Sequence, residues 1–243
     1  MRALLLDSGN SRLKAAIAAD GRIETLCVFD HNQVAEILDY AQKERAQACC
    51  LCDVSGKIDT LLAELRQAFR HLHLVSADSI VPFNTGAGFY TTMGSDRIAA
   101  LVGAYVRVKP SPVLIIDAGT AITYDFLDER ATYCGGLISL GIDMRRRALH
   151  TFTGRLPLVN VPSETSFPFT TKGTTQSLQS GIVAGIVGEF EYITRELKKK
   201  HNDFQIVVTG GDAECLSNFY FCKTFVVHNL VLEGLYELLM CNG

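Results

Sequence analysis

Two short segments carry residue types that handle phosphate. Asp7-Ser-Gly-Asn-Ser11 follows the apolar run Ala3 to Leu6, and Asp117-Ala-Gly-Thr-Ala121 follows the apolar run Val113 to Ile116. A strand ending in Asp, then Gly, then Asn or Thr brings backbone N–H groups and a side-chain donor close to a phosphate, while the carboxylate orients Mg2+ or its water. Lys14, in the run that follows the first turn, adds positive charge. A single Asp-Ser-Gly-Asn is also an ordinary turn composition. A second copy in a matching place, after a second buried strand, is what favours phosphate. Gly210-Gly211, after Ile206 to Val208, lets backbone approach a flat ligand such as adenine; taken alone it is a tight turn. The chain holds no Gly-x-x-x-x-Gly-Lys-Ser/Thr, and no Gly-x-Gly-x-x-Gly after its first strand. A nucleotide would therefore be held by the paired turns, between two domains.

Those turns need strands to hold them. Leu13 to Ala18 resumes the apolar pattern after the first turn, giving a hairpin, and Ile23 to Phe29 reads as a third strand. The spacing of Val34, Ile37, Leu38 and Ala41 predicts a helix, Ala48 to Val54 a strand, and Ile58, Leu61, Leu62, Leu65 and Phe69 a second helix. A Gly-rich loop around Gly86 and Gly88 leads to a helix over Arg97 to Val106, which Lys109-Pro-Ser-Pro112 breaks. The pattern then returns with strands at Val113 to Ile116, Ile122 to Phe126 and Thr132 to Ile138. Helices near Met144 to His150 and Leu178 to Lys199, a strand at Gln205 to Thr209 and a last helix from Leu230 to Met240 complete it. The repeated order implies an α/β fold of two related halves, 1–111 and 112–243.

Composition sets outer bounds on function. Of 243 residues 48% are hydrophobic, and 23 Lys and Arg against 26 Asp and Glu give a formal net charge of −3, which excludes a disordered chain and leaves no basic footprint for nucleic acid. No apolar run approaches the roughly 20 residues that span a bilayer, and the stretch after Met1 ends at Asp7, too soon for a signal peptide. No membrane partner and a cytoplasmic location are expected. The eight cysteines are irregularly spaced and read as reduced thiols. Cys49, Cys50 and Cys52 fall in a strand-like run with no second pair at zinc-finger spacing, so core packing is expected of them. Arg145, Arg146 and Arg147 read as a solvated helix face or a subunit contact. The stripe Leu178, Ile182, Gly185, Ile186 and Phe190 fits either a dimer seam or an ordinary buried helix.

In order and spacing, Asp7-Ser-Gly-Asn-Ser-Arg-Leu-Lys14, Gly94-Ser-Asp-Arg97, Asp117-Ala-Gly-Thr-Ala121 with Gly135-Gly136, and Thr209-Gly-Gly-Asp212 resemble the type III pantothenate kinases, within the acetate and sugar kinase, Hsp70 and actin superfamily. The likeness spans nearly the whole chain, and its specificity lies in the four motifs together. It implies two tandem ribonuclease-H-like (actin-like ATPase) domains with mixed sheets, a homodimer, and ATP-dependent phosphorylation of pantothenate to 4'-phosphopantothenate, the first step towards coenzyme A. Carried over, it makes Asp7, Ser8, Gly9, Asn10, Ser11, Arg12, Leu13 and Lys14 the first phosphate loop, with Mg2+ or its water at Asp7. Thr120 becomes the second phosphate contact, and Gly210 and Gly211 further ATP contacts. Asp96 becomes the general base and Arg97 the partner of the substrate carboxylate, with Gly94 and Ser95 in the same substrate motif. Asp117 matches the ligand of a monovalent cation, K+ or NH4+, and Thr174 a substrate contact. The chain departs from the family pattern at Leu140-Gly-Ile142, where Pro-Gly-Ile is usual, and at Ser11, where Thr is commoner. A substrate-side Tyr before Gly94 has no clean match; Phe89 and Tyr90 are the nearest aromatics, with Tyr90 the candidate contact.

Read from the residues alone, Asp96-Arg97 suits the same role less specifically. Phosphoryl transfer requires positioning and charge neutralisation, so a carboxylate need only accept the alcohol proton late. Arg offers a planar fork that meets a carboxylate bidentately, which Lys does not. The same pair also suits a helix start, where an acid favours the dipole. Two alternatives to a pantothenate kinase are a non-catalytic nucleotide-binding regulator and a small-alcohol, sugar or acyl kinase on the same fold. Asp96 beside Arg97 favours catalysis over the first, and the combination of motifs favours pantothenate over the second.

Overall fold

The first strands follow the expected apolar runs: β1 (Arg2–Ser8), β2 (Leu13–Ala19) and β3 (Arg22–Phe29), followed by α1 (Val34–Lys43), β4 (Ala48–Asp53), α2 (Asp59–Ala68), β5 (His71–Leu74) and α3 (Ser95–Val108). The order then recurs with β6 (Val113–Ala118), β7 (Ala121–Leu127), β8 (Tyr133–Leu140), α4 (Ile142–Thr151), α5 (Thr174–Lys198), β9 (Gln205–Thr209), α6 (Ala213–Ser217), β10 (Phe225–Val226) and α7 (Leu230–Asn242). This computed structural model describes residues 1–87, 89–108, 112–162, 167–220 and 223–243; Gly88 of the Gly-rich loop and residues 109–111 of the helix breaker lie outside them.

The two sheets share one plan. Their strand orders are β3-β2-β1-β4-β5 and β10-β9-β6-β7-β8, so β1 corresponds to β6, β4 to β9 and β5 to β10. In the first sheet β1 runs antiparallel to β2 and parallel to β4; in the second, β6 is parallel to β9. Central β1 is apolar without alternation and its residues 3–6 are wholly buried, as a strand covered on both faces requires. Edge strand β3 instead alternates exposed and half-buried residues, the period of a strand covered on one face. The helical stripes end in the core: Ile37 and Ala41 of α1 and Leu61 and Leu65 of α2 pack with Leu4, Leu6, Ile17 and Leu51. Each such fully buried aliphatic side chain contributes about 1.5–3 kcal/mol.

By internal contacts the chain divides into one unit of Met1–Pro110, Leu127–Gly135 and Asn229–Gly243 and another of Ser111–Phe126 and Gly136–His228. The last helix belongs elsewhere than expected: α7 packs on α3 in the first unit, not within 112–243. The reason is that both helices are apolar almost all round, with residues 97–104 of α3 buried, so each needs another helix to cover it. In the second unit the stripe Leu178, Ile182, Ile186 and Phe190 of α5 is buried against Leu114, Ile116, Ile122 and Tyr124, so it is an ordinary buried helix face and not a seam. The thiols of Cys49, Cys50 and Cys52 are buried in β4. Among the described residues no helix is long and apolar enough to cross a membrane.

Candidate active site

Strand register assembles the first part of the site. Asp7, at the end of β1, stands opposite Lys14 on β2 and Cys52 on β4. Register partners share a sheet face, so the three side chains project together. The Cys52 thiol donates to Asp7 Oδ1 at 3.5 Å. Burial raises the Asp7 carboxyl above the usual carboxylate range, against the pull of the Lys14 ammonium and the thiol. Beyond Asp7 the turn closes with Gly9 N–H donating to the Arg12 carbonyl at 3.1 Å. Two carbonyls of this turn are held by neighbouring side chains: His31 Nε2 donates to Gly9 O at 2.9 Å and Lys57 Nζ to Asn10 O at 3.3 Å. Asn10, Ser11 and Arg12 are exposed.

The start of α3 is tied to the end of β4. Ser95 Oγ accepts from Asp53 N–H and donates to Asp53 O, both at 3.0 Å. Burial works against the Asp53 charge, yet hydrogen bonds from Ser55, Ser8 and Gly56 hold its carboxyl below the usual range. After burial itself, the charges of Asp7 and then Asp96 push the Cys52 thiol well up, so both carboxylates lie within electrostatic reach of that thiol. Asp96 Oδ1 accepts the Arg97 backbone N–H at 2.7 Å. Gly94 makes room for that carboxylate, since a Cβ there would lie 2.7 Å from Asp96 Oδ1. Arg97 is only 5% exposed; its Nη1 donates to Tyr90 Oη at 2.9 Å and its Nη2 to Tyr133 Oη at 3.1 Å.

The second unit repeats the turn in shorter form. Asp117 is the last residue but one of β6, and Gly119 N–H donates to Ala121 O at 3.1 Å, so two residues rather than four link the paired strands. Asp117 stands opposite Thr209 on β9. Gly210, which follows Thr209, adopts φ +95°, and a Cβ there would overlap the Ala118 carbonyl and Asp117 Oδ1. Only glycine lets this turn lie on the Asp117 turn. Asp212 N–H donates to Ala118 O at 2.9 Å. Burial, then the neighbouring Asp143 charge, raises the Asp212 carboxyl. Gly141 N–H donates to the carbonyl of exposed Thr120 at 3.1 Å, so the Leu140-Gly-Ile142 corner still packs on the turn without the usual proline.

A model of the family described as type III pantothenate kinase matches residues 3–196. The chain belongs to that family. A type III pantothenate kinase of Flavobacterium psychrophilum is 34% identical over 236 residues, covering 97% of each chain, and one of Christiangramia forsetii is 35% identical over 243 residues, covering 98% of each. Among solved structures, a candidate Baf family transcriptional activator from Campylobacter jejuni has TM-score 0.65 at 21% identity, covering 98% of this chain and 97% of its own. At that identity the likeness concerns the fold.

Within the pantothenate kinase motifs the structure sorts the expected residues. In the first unit strand register pairs Asp7 with Lys14, Gly94, Asp96, Arg97 and Tyr90 meet at the start of α3, and Ser95 ties that start to β4, the strand beside Asp7; in the second, Asp117, Thr120, Gly210 and Gly211 lie on adjoining turns. Two members of the first loop turn inward. Leu13 is wholly buried in the core because it faces the sheet side opposite Lys14, and buried Ser8 shares a hydrogen bond of 3.0 Å with Ser55. Thr174 is exposed as the first residue of α5. Arg145 is not on a solvated face: it lies against Gly185 and donates to Leu140 O at 2.8 Å, Ser139 Oγ at 3.1 Å and Glu189 Oε1 at 2.5 Å. Arg146 and Arg147 pair with Asp143. Cys52, Asp53 and Tyr133 escaped the motif reading. Parallel pairing of β1 with the next parallel strand could have pointed to Cys52 and Asp53, whereas no local signal marks Tyr133.

Proposed function

We propose that this chain uses ATP to phosphorylate pantothenate at its primary hydroxyl, giving 4'-phosphopantothenate and ADP. The observation that carries this reading is the adjacency of Asp96 and Arg97 at the start of a helix tied to the strand beside Asp7. Arg97 pairs with the substrate carboxylate through its planar fork. Asp96 takes the hydroxyl proton while the hydroxyl oxygen bonds to the γ-phosphorus and the bond from that phosphorus to the bridging oxygen breaks, releasing ADP. Asn10, Ser11, Arg12 and Lys14 cradle the phosphates from one turn and Thr120 from the other, with Gly210 and Gly211 flanking the nucleotide. Tyr90 and Thr174 contact pantothenate.

Asp7 would hold Mg2+, directly or through water. Among the described residues no group of three His, Cys, Asp or Glu side chains is arranged to hold a metal ion. That suits Mg2+ on a nucleotide, which needs one or two carboxylates and fills its other positions with phosphate and water. When bound, the ion supplies positive charge to the β- and γ-phosphates. Asp117 would hold K+ or NH4+, its carboxylate supplying a hard oxygen donor at the turn on which Gly210 lies. We also read the enzyme as a homodimer, because edge strand β8 exposes Leu137, Ile138 and Leu140, with Met144 beyond them on α4.

A coupled ADP assay over pantothenate, glucose, glycerol and acetate tests the reaction. Turnover is expected with pantothenate alone; turnover with glucose or acetate and none with pantothenate would overturn the assignment. Sedimentation at micromolar concentration checks the dimer, a monomer being the contrary result.

A further inference from the structure

We infer that Tyr133 is a positioning residue for Arg97, its phenol setting the plane in which the guanidinium meets the substrate carboxylate. This rests on the reading of Arg97 as the carboxylate partner. Tyr133 Oη and Tyr90 Oη accept from different terminal nitrogens of Arg97, at 3.1 and 2.9 Å, so turning the guanidinium out of plane breaks both bonds. The two phenols are unequal. Tyr90 is 45% exposed and Tyr133 1%, so the fixed reference is Tyr133.

Its own position is set by packing and backbone. The ring meets Phe89 edge-on at 6.0 Å between centroids, and Phe89 in turn meets Phe83 edge-on at 6.2 Å. Tyr133 N–H donates to Asn84 O at 2.8 Å, and Asn84 N–H to Ala131 O at 2.9 Å, which stitches the segment leading to Tyr90 onto the start of β8. A phenol is also the appropriate acceptor chemically. It satisfies a buried guanidinium N–H without adding negative charge, so it does not compete with an incoming carboxylate as Asp or Glu would.

Steady-state kinetics of Tyr133→Phe and Arg97→Lys, each with pantothenate and with panthenol, which has a hydroxymethyl group in place of the carboxylate, test the inference. For Tyr133→Phe the expected result is a pantothenate KM raised about tenfold, the usual worth of one hydrogen bond to a charged group, with kcat within about twofold. The KM for ATP should hold, and preference for pantothenate over panthenol should fall by the same factor as KM rises. A general packing defect would not lower that preference. Should Tyr133→Phe fold poorly by its melting curve, 3-fluorotyrosine at position 133 keeps the ring and weakens the acceptor, and should shift KM in the same direction by less. If Arg97→Lys lowers the preference but neither Tyr133 variant does, Tyr133 has no positioning role and the Arg97 assignment stands. If Arg97→Lys leaves the preference intact, the Arg97 assignment fails, and any Tyr133 effect is not exerted through it.

Discussion

The thiol of Cys52 points at Oδ1 of Asp7 from the neighbouring parallel strand, 3.5 Å away. Cys52 is wholly buried, and carboxylates of two different elements, β1 and α3, raise its own ionisation further after burial has done so. It is thus a neutral donor to Asp7, including when Asp7 is charged as the proposed Mg2+ ligand. Burial makes that charge costly for Asp7.

Replacing Asp7 by Asn should stabilise the ligand-free protein while removing activity. Burial raises the folded-state pKa of Asp7, so the folded chain binds this proton more tightly than the unfolded one. The resulting stability is complete below the unfolded pKa and is lost as pH rises through the folded one, leaving the ionised form a cost at pH 7. Asp7→Asn should therefore raise the melting temperature at pH 7 by about 2–4 °C, the shift given by about 1 kcal/mol in a chain of this size. The advantage should shrink as pH is lowered. An Asn variant that melts below wild type at pH 7 would contradict the sign.

Asp96→Asn keeps the oxygen that accepts the Arg97 N–H and loses only the proton acceptor. Turnover should fall about 10²-fold or more, with pantothenate KM nearly unchanged and melting close to wild type. Intact kcat in a folded variant would remove Asp96 from the general-base role.

Activity should depend on potassium or ammonium in addition to Mg2+, with sodium a poor substitute, if Asp117 holds the monovalent cation. Initial rates in matched KCl, NH4Cl and NaCl buffers decide it. Equal rates in the three salts would return Asp117 to the architecture of its turn.

Gly234→Ala should destabilise the fold by about 3 kcal/mol, the upper end of ordinary overpacking. The new Cβ would overlap the Ala99 carbonyl and crowd Gly103 N, where α7 crosses α3. Chemical denaturation of the variant measures this directly, and a midpoint equal to wild type would mean that the helices separate at little cost.

What could be read in advance follows from how local the determining interactions are. Runs such as Leu4 to Leu6 and the stripe Leu61, Leu65 declare their elements within a few residues. Four-residue β5, five-residue α6 and two-residue β10 are too short to show a period. Asp96 and Arg97 stood out as a candidate pair because they adjoin in sequence. Tyr133 lies 36 residues from Arg97 and meets it only through the folded path of β8. Leu13 and Ser8 show the opposite limit: a contiguous motif was readable, but which members the strand turns inward depends on the pleat. Arg145 looked solvated because Glu189, the carboxylate that draws it in, is 44 residues away.

The placement of α7 bears on how the chain matures during translation. The unit that holds Asp7, Asp96 and Arg97 takes its last fifteen residues from Asn229–Gly243, whereas the other unit has all of its residues once His228 has been made. A ribosome thus delivers α3 well before its covering helix, and the apolar face around Leu101 and Gly103 waits while residues 111–228 emerge. The half begun first is completed last, and chaperones that bind exposed apolar segments have that interval in which to act.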